Sequence, residues 1–195
     1  MSNARMQDKE AKIDSVLPVM PSGKLMSVQG AILPGGFDQH GRPLICFPAR
    51  HHGSLTEHLN SQDLAHVVQY FMVITRSNQK KNGFAFLADL TTTGLPAVHL
   101  IVETLQLVEI RTPRSVACFY IVRPDNKAAC KQLAKLLGVK TAKKGPQGKG
   151  LWDKCTFVGE VGELQNHLDP SQLTFDLGGY LTYDPQTWVQ FRKVL

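Results

Sequence analysis

Lysines recur at helical spacing in one part of this 195-residue chain, and their pattern indicates a chemical role. Lys127, Lys131 and Lys135 are four residues apart, so they share one face of a predicted helix. A segment rich in glycine and lysine follows and predicts a loop. The lysines of that loop are Lys140, Lys143 and Lys144. Such ammonium groups can contact the phosphates of an anionic surface, although an isolated lysine face is more often solvated surface.

The distribution of charge favours a binding surface. Residues 123–154 contain nine basic and two acidic residues, whereas the rest of the chain contains 13 basic and 14 acidic residues. The net charge of +6 therefore arises in this one segment. A patch of this kind attracts anionic membranes or nucleic acids, and salt weakens the attraction.

Nucleic acid is the natural rival to a membrane as the partner of a basic patch. Trp152 is the only aromatic residue between Lys127 and Lys154, so the patch lacks the stacking platform of single-strand binders. The sequence also has no helix-turn-helix, zinc-finger or RNP signature. We therefore expect no nucleic-acid partner.

The motifs that could support catalysis are weak. His51, His52 and His58 lie near Cys46 in sequence, but no pair of them has the spacing of a zinc motif. The stretch GPQGKG lacks the Ser or Thr that follows the lysine of a phosphate-binding loop, and no GxSxG motif occurs. The sequence thus predicts a protein that is not an enzyme and has no metal or cofactor.

Composition and length indicate one ordinary globular domain. The chain is 43% hydrophobic and 19% charged, and no apolar run approaches the length of about 18 residues that spans a bilayer. No signal peptide is recognisable, and the four cysteines are scattered singly, which fits a reducing cytoplasm. We expect residues 1–24 to be a flexible lead-in and residues 25–195 to form the domain.

Hydrophobic periodicity predicts alternating strands and helices. The predicted strands are residues 42–48, 83–90, 116–122 and 155–161. The predicted helices are residues 61 to about 76, 95–111, 126–137 and 184–194. Two of the strands, residues 83–90 and 116–122, are almost wholly apolar, as expected when both faces of a sheet are covered. The chain is therefore predicted to fold as an α/β domain with a largely parallel sheet.

Several local predictions concern turns and caps. Residues 24–32 are predicted to form a short helix that leads to a turn at residues 33–36, and residues 51–53 are predicted to form a loop. Ser61 is predicted to cap the first long helix.

Near the C-terminus, the pair Asp169-Pro170 predicts a turn, with Ser171 as its hydrogen-bonding residue. Gly178-Gly179 predicts either a positive φ angle or a close approach of two backbones.

Motifs at both ends of the domain resemble the Sec14-like (CRAL-TRIO) lipid-binding family. That family has a strand of the type KI-x-x-LG, then I-x-P-x-x-L, then an acidic residue before GG. Residues 154–159, residues 168–173 and Asp176 with Gly178-Gly179 stand in those places. The continuation GGYLTYDPQTWV and the opening AILPGGFDQHGRPLICFP look most like the domains at the N-terminal end of Rho exchange factors of the Dbl and Trio type. The resemblance covers residues 28–194.

The resemblance implies a fold and a ligand site. It implies a parallel sheet covered by helices, without the long N-terminal helical subdomain of the lipid-transfer members. It also implies that the helix at residues 126–137 is the gate helix over a lipid cavity. Each cavity candidate is, taken singly, more often ordinary core than cavity wall. The candidates are Phe71, Phe84, Phe86, Phe119, Tyr120 and Leu133.

The resemblance also implies a non-catalytic function. We expect a module that binds an anionic phospholipid or a phosphoinositide, peripherally at the inner face of a membrane, and so recruits or restrains a Rho guanine-nucleotide exchange factor. The six lysines would contact the membrane. The alternative is a protein-interaction module without a lipid ligand, which contacts another domain of its own chain or a small GTPase.

Overall fold

One five-stranded sheet organises the structure, a computed structural model that describes residues 33–75, 82–137, 151–182 and 184. The strands lie in the order in which they occur along the chain. The first pair is antiparallel and every later pair is parallel, which confirms the predicted largely parallel sheet. The strands are β1 (Leu33–Phe37), β2 (Pro43–Phe47), β3 (Phe84–Asp89), β4 (Val116–Val122) and β5 (Cys155–Val158).

Within the described ranges, four α-helices connect the parallel strands and pack on one face of the sheet. Helices α2, α3 and α4 pack side by side, because each follows one strand and precedes the next parallel strand. Helix α1 also contacts α3. The helices are α1 (His52–His58), α2 (Ser61–Ile74), α3 (Leu95–Arg111) and α4 (Lys127–Leu136).

The core between the helices and the sheet takes every second residue of the strands. Phe47, Phe86 and Phe119 are fully buried there against apolar residues from all four helices. A register shift where β3 pairs with β4 leaves Ala117 unmatched, so that Val116 and Phe119 both join this core.

Among the described residues, the opposite face of the sheet is covered by a shorter segment. Its core contains the alternate strand residues together with Leu164, Leu168, Leu173 and Leu177. These leucines come from a segment of three short 3₁₀ helices, which we call the C-terminal layer. Its helices are Val161–Asn166, Pro170–Gln172 and Phe175–Leu177.

Backbone contacts fix the C-terminal layer. Gly178 has a φ of 73°, and a Cβ at Gly179 would overlap the carbonyl oxygen of Leu173. The predicted positive φ and the predicted close approach are thus both present, one at each glycine. Asp169, rather than Ser171, supplies the hydrogen-bonding side chain of the turn, because its Oδ1 accepts the Ser171 N–H at 2.8 Å.

The prediction of a turn at residues 33–36 is wrong, because this segment is strand β1. Its pairing with β2 overrides the turn preference of its proline and glycines, and a register shift lies between Pro34 and Phe37. The turn follows instead at residues 38–42, where Gly41 has a φ of 70°. The buried carboxylate of Asp38 holds this turn by accepting the backbone N–H groups of His40 and Arg42, each at 2.9 Å.

Three further boundaries differ from the predictions. Residues 51–53 are the end of a 3₁₀ helix and the start of α1, not a loop. Asn60, not Ser61, caps α2, and its Oδ1 accepts the Asp63 N–H at 2.9 Å. Strand β5 ends at Val158 rather than residue 161, because Glu163 turns back to accept the Gly159 N–H at 2.7 Å. The predicted helices at residues 24–32 and 184–194 lie outside the described residues, apart from Asp184, and so does the lead-in at residues 1–24.

Candidate functional site

Helix α4 lies beside β5, the last strand of the described sheet, and separates exposed cations from an apolar interior. Asn126 caps it, with its Oδ1 accepting the Ala128 N–H at 2.7 Å. Ala129 and Leu133 are buried against the sheet. The predicted contact lysines of the helix are all exposed, and they are Lys127, Lys131 and Lys135. Lys140, Lys143 and Lys144 lie outside the described residues.

A pocket of about 240 Å³ lies under the inner face of α4, which we call the α4 pocket. Its lining is apolar except for one guanidinium, that of Arg123, which lies 5.5 Å from the centroid of the Phe157 ring. This spacing suits a cation–π contact. The lining residues are Arg123, Cys130, Leu133, Ala134 and Phe157.

The six cavity candidates do not lie together. Five of them belong to the core on the helix face, and Leu133 alone lines the α4 pocket. Tyr120 belongs to the opposite face, since it follows Phe119 directly in β4 and successive strand side chains point to opposite faces. Its hydroxyl lies 3.5 Å from Oδ2 of Asp38. Their part in lipid binding therefore stays a prediction, since Leu133 alone lies beside the α4 pocket.

Sequence reasoning missed four of the five residues that line the α4 pocket. Arg123 directly follows strand β4, at the edge of a parallel sheet where ligands commonly bind. Cys130 and Ala134 lie on the helix face shared with Leu133, and the Sγ–H of Cys130 donates to the carbonyl oxygen of Pro124 at 3.0 Å. The position of Arg123 and the helical spacing of Cys130 and Ala134 relative to Leu133 were signals that could have identified most of the pocket.

The cation at the end of the basic segment is part of the scaffold. Lys154 Nζ donates to Oε1 of Glu109 at 2.7 Å and so joins the start of β5 to the end of α3. Burial alone would raise the pKa of Glu109, but the Lys154 bond and the N–H groups of Val116 and Arg114 lower it below its ordinary value. The charge of Lys154 is thus neutralised internally, unlike the exposed charges of α4.

The histidine and cysteine side chains do not gather into a metal site within the described residues. The described part of the chain contains no group of three or more His, Cys, Asp or Glu side chains that could hold a metal ion. Burial raises the pKa of Cys46 and of Cys155 to about 12, so both thiols stay protonated at neutral pH. The ring nitrogens of buried His52 lie 2.6 Å from Thr93 Oγ1 and 3.1 Å from the Phe47 carbonyl oxygen, as in a structural histidine.

None of the helices in the described ranges is long and apolar enough to cross a membrane. Helix α4 thus has exposed lysines on its outer face and an apolar pocket under its inner face.

Comparison with known proteins identifies relatives over most of the chain. It is 27% identical over 86% of its length to the human protein named probable guanine nucleotide exchange factor MCF2L2. It is 28% identical over 88% of its length to the mouse protein named uncharacterized protein KIAA1755 homolog. It is 26% identical over 84% of its length to human SEC14 domain and spectrin repeat-containing protein 1. The matches span only 14%, 13% and 21% of the lengths of these three relatives.

A family model provides the assignment. The model described as a divergent CRAL/TRIO domain matches residues 41–186, which is most of the chain and includes β2 to β5, all four helices and the C-terminal layer. It confirms the resemblance carried by the motifs at the two ends of the domain. The chain belongs to the divergent CRAL/TRIO domain family.

Proposed function

We propose that this chain is a non-catalytic lipid-binding module of a Rho guanine-nucleotide exchange factor, which holds that factor at anionic membranes. The observation that carries the proposal is the division of α4. Its outer face bears Lys127, Lys131 and Lys135, all exposed, and its inner face covers the apolar α4 pocket. A lipid has the matching division between an anionic headgroup and apolar chains.

The lysines would supply the attraction to the membrane. A lysine near an anionic leaflet contributes about 1 kcal/mol at most. If each lysine of α4 contributes half of that, the three together strengthen binding about tenfold. Exposed charges are screened by salt, so this attraction should weaken as ionic strength rises.

The α4 pocket would accept part of an acyl chain. Its volume of about 240 Å³ is below the range of roughly 300–1,000 Å³ that is usual for small-molecule sites. A whole phospholipid would therefore require α4 to move outward. Helix α4 packs on α3, where Gln106 Nε2 donates to the Leu136 carbonyl oxygen at 3.0 Å. Breaking this bond would free α4 to move away from Phe157 of β5, across the pocket, and so enlarge the pocket.

The role within a larger protein follows from the relatives. One relative is named as a probable guanine nucleotide exchange factor, and this chain matches 14% of it. A domain of this size would serve to recruit the exchange activity to the cytoplasmic face of a membrane or to restrain it there. Phosphoinositides carry the highest headgroup charge among common anionic lipids and are the preferred ligands of this proposal.

The first test is co-sedimentation with vesicles of phosphatidylcholine alone, with added phosphatidylserine, or with added phosphoinositide, at low and high salt. We expect salt-sensitive binding that is strongest with phosphoinositide. The triple variant Lys127→Gln, Lys131→Gln, Lys135→Gln should bind about tenfold more weakly.

A matched control separates the lysine face from net charge. The triple variant Gln39→Glu, His66→Glu, Gln165→Glu makes the same change of −3 at exposed positions away from α4. It should retain much more vesicle binding than the lysine variant. Equal loss in both variants would contradict the α4 assignment. Absence of binding by the folded parent chain to every vesicle would favour a protein-interaction module that contacts its own chain or a small GTPase.

A further inference from the structure

We propose that a cleft at the N-terminal ends of β3 and β4 is a second binding site, for a small amphipathic organic anion. We call it the lower cleft, and its volume is about 580 Å³. Phe84 and Ser115 lie at the N-terminal ends of these strands, whereas Arg123 and the α4 pocket lie at the C-terminal ends. The lower cleft and the α4 pocket are therefore at opposite ends of the strands. Its lining residues are Gln69, Met72, Val73, Gly83, Phe84, Thr112, Pro113, Arg114 and Ser115.

The size and floor of the lower cleft suit a small organic molecule. Its volume falls within the usual range for small-molecule sites, which the α4 pocket does not reach. Met72 and Phe84 are buried and give the cleft an apolar floor. Val73 is 53% exposed at the end of α2, so part of the apolar lining is open to solvent. A ligand that covered this surface would gain from its removal from water.

The rim of the lower cleft is cationic. Arg114 is exposed there, and Arg111 Nη1 donates to Oε1 of the lining residue Gln69 at 3.4 Å. The neighbouring carboxylate, that of Glu109, already receives Lys154 Nζ at 2.7 Å, so it does not cancel the charge of the arginines. An anionic group is therefore the complementary partner of this rim.

Arg114 adopts a conformation that its residue type rarely takes. Its φ is 66°, in the left-handed region where glycine and asparagine are common and other residues are not. Glu109 Oε1 accepts the Arg114 N–H at 3.1 Å and helps to hold this conformation. The fold thus holds a long cationic side chain in a backbone conformation that glycine or asparagine adopts at lower energetic cost. Such unfavourable backbone conformations are frequent at binding sites.

The ligand class follows from the floor and the rim together. A purely apolar molecule would leave the guanidinium of Arg114 without a partner, and inorganic phosphate would leave Met72 and Phe84 uncovered. An aromatic or short-chain molecule with one carboxylate, sulfonate or phosphate group would use both. Such a molecule can bind here while a lipid occupies the α4 pocket, because the two sites lie at opposite ends of the strands.

The test uses two fluorescent probes that share their rings and differ in charge. One is 1-anilinonaphthalene-8-sulfonate, and the other is neutral N-phenyl-1-naphthylamine. At high salt, we expect the folded chain to enhance the fluorescence of the sulfonate probe saturably, with one site. Arg114→Asn removes the charge but keeps a residue that accepts the left-handed φ, so the fold should be retained. It should weaken binding of the sulfonate probe about three- to fivefold and leave the neutral probe unchanged.

A second variant tests the location. Val73→Trp adds volume at an exposed helical position beside the cleft and should lower the affinity for both probes. The triple glutamine variant of α4 should bind both probes like the parent, although its vesicle binding is about tenfold weaker. No saturable enhancement with the folded parent chain, unchanged binding of both probes in Val73→Trp, or unchanged sulfonate binding in Arg114→Asn would each overturn the proposal. The vesicle result and the probe result can fail separately, so the two proposals stay distinguishable.

Discussion

The two faces of the sheet are held by different kinds of contact. On the helix face, large side chains such as Phe86 and Phe119 are fully buried against four helices. On the other face, the C-terminal layer buries four leucines but depends on backbone hydrogen bonds. Gly179 N–H donates to the Thr174 carbonyl oxygen at 3.1 Å, and Leu181 N–H donates to that of Leu173 at 2.8 Å. The stability of the helix face therefore depends on the volume of its buried side chains, and that of the other face depends on the path of the backbone.

The largest effect should come from a single methyl group in the C-terminal layer. Gly179→Ala places a Cβ on the Leu173 carbonyl oxygen, which is backbone and cannot rotate away. We expect a loss of about 5 kcal/mol in the free energy of unfolding, measured by urea denaturation. Gly162→Ala, in the same layer, is the matched control, because its Cβ would come no closer than 3.9 Å to another group. If the two variants were equally stable, the backbone path at Gly179 would not be what holds the C-terminal layer, and the difference between the two faces would be contradicted.

On the helix face, the cost should follow the volume removed. Phe119→Ala leaves a cavity in a fully buried site and should cost about 4 kcal/mol. Phe119→Leu fills most of that space and should cost about 1 kcal/mol. Thermal or urea unfolding of both variants measures the difference. Equal losses would mean that shape and backbone path, rather than volume, also govern this face.

The smallest effect concerns the one carboxylate that fixes the loop between α3 and β4. Glu109→Gln should cost about 1 kcal/mol at pH 7, since it weakens the bonds to Lys154 and to two backbone N–H groups. The pKa of Glu109 is lower in the folded chain than in the unfolded chain. Its contribution is therefore complete above the unfolded pKa, near 4.5, and is lost as pH falls through the lower folded value. Urea unfolding between pH 7 and pH 3 should show the parent and the variant converging, and a constant difference would contradict this assignment.

Sequence patterns predicted the elements with strong local signals. The bounds of α3 and β4 agree with the prediction, because β4 is a wholly apolar run between polar residues and α3 is an amphipathic segment with Pro96 in its first turn. Strand β1 was missed because LPGGF has the local preferences of a turn, and only its pairing with β2 makes it a strand. Local propensity does not include such a partner.

The candidate site was predictable only in its exposed part. The four-residue spacing placed Lys127, Lys131 and Lys135 on one helix face, and all three are exposed in the structure, while their role in membrane contact stays a prediction. The positions of the cavity candidates were harder to predict. Strand β4 is apolar on both faces, so hydrophobic periodicity does not show which face each of its side chains lies on. The unmatched Ala117 shifts the alternation as well. Separating Phe119 from Tyr120 required the pairing of the strands, which one sequence does not contain.

The strand order of the sheet has a consequence for synthesis on the ribosome. Each strand from β2 to β5 pairs with the strand that precedes it in the chain, so the sheet can grow by one strand as each successive segment emerges. The C-terminal layer emerges after all five strands. Until then, the face that contains Leu44, Leu87 and Tyr120 is uncovered, and a nascent chain that stalls after β5 exposes that apolar surface to chaperones and to other nascent chains.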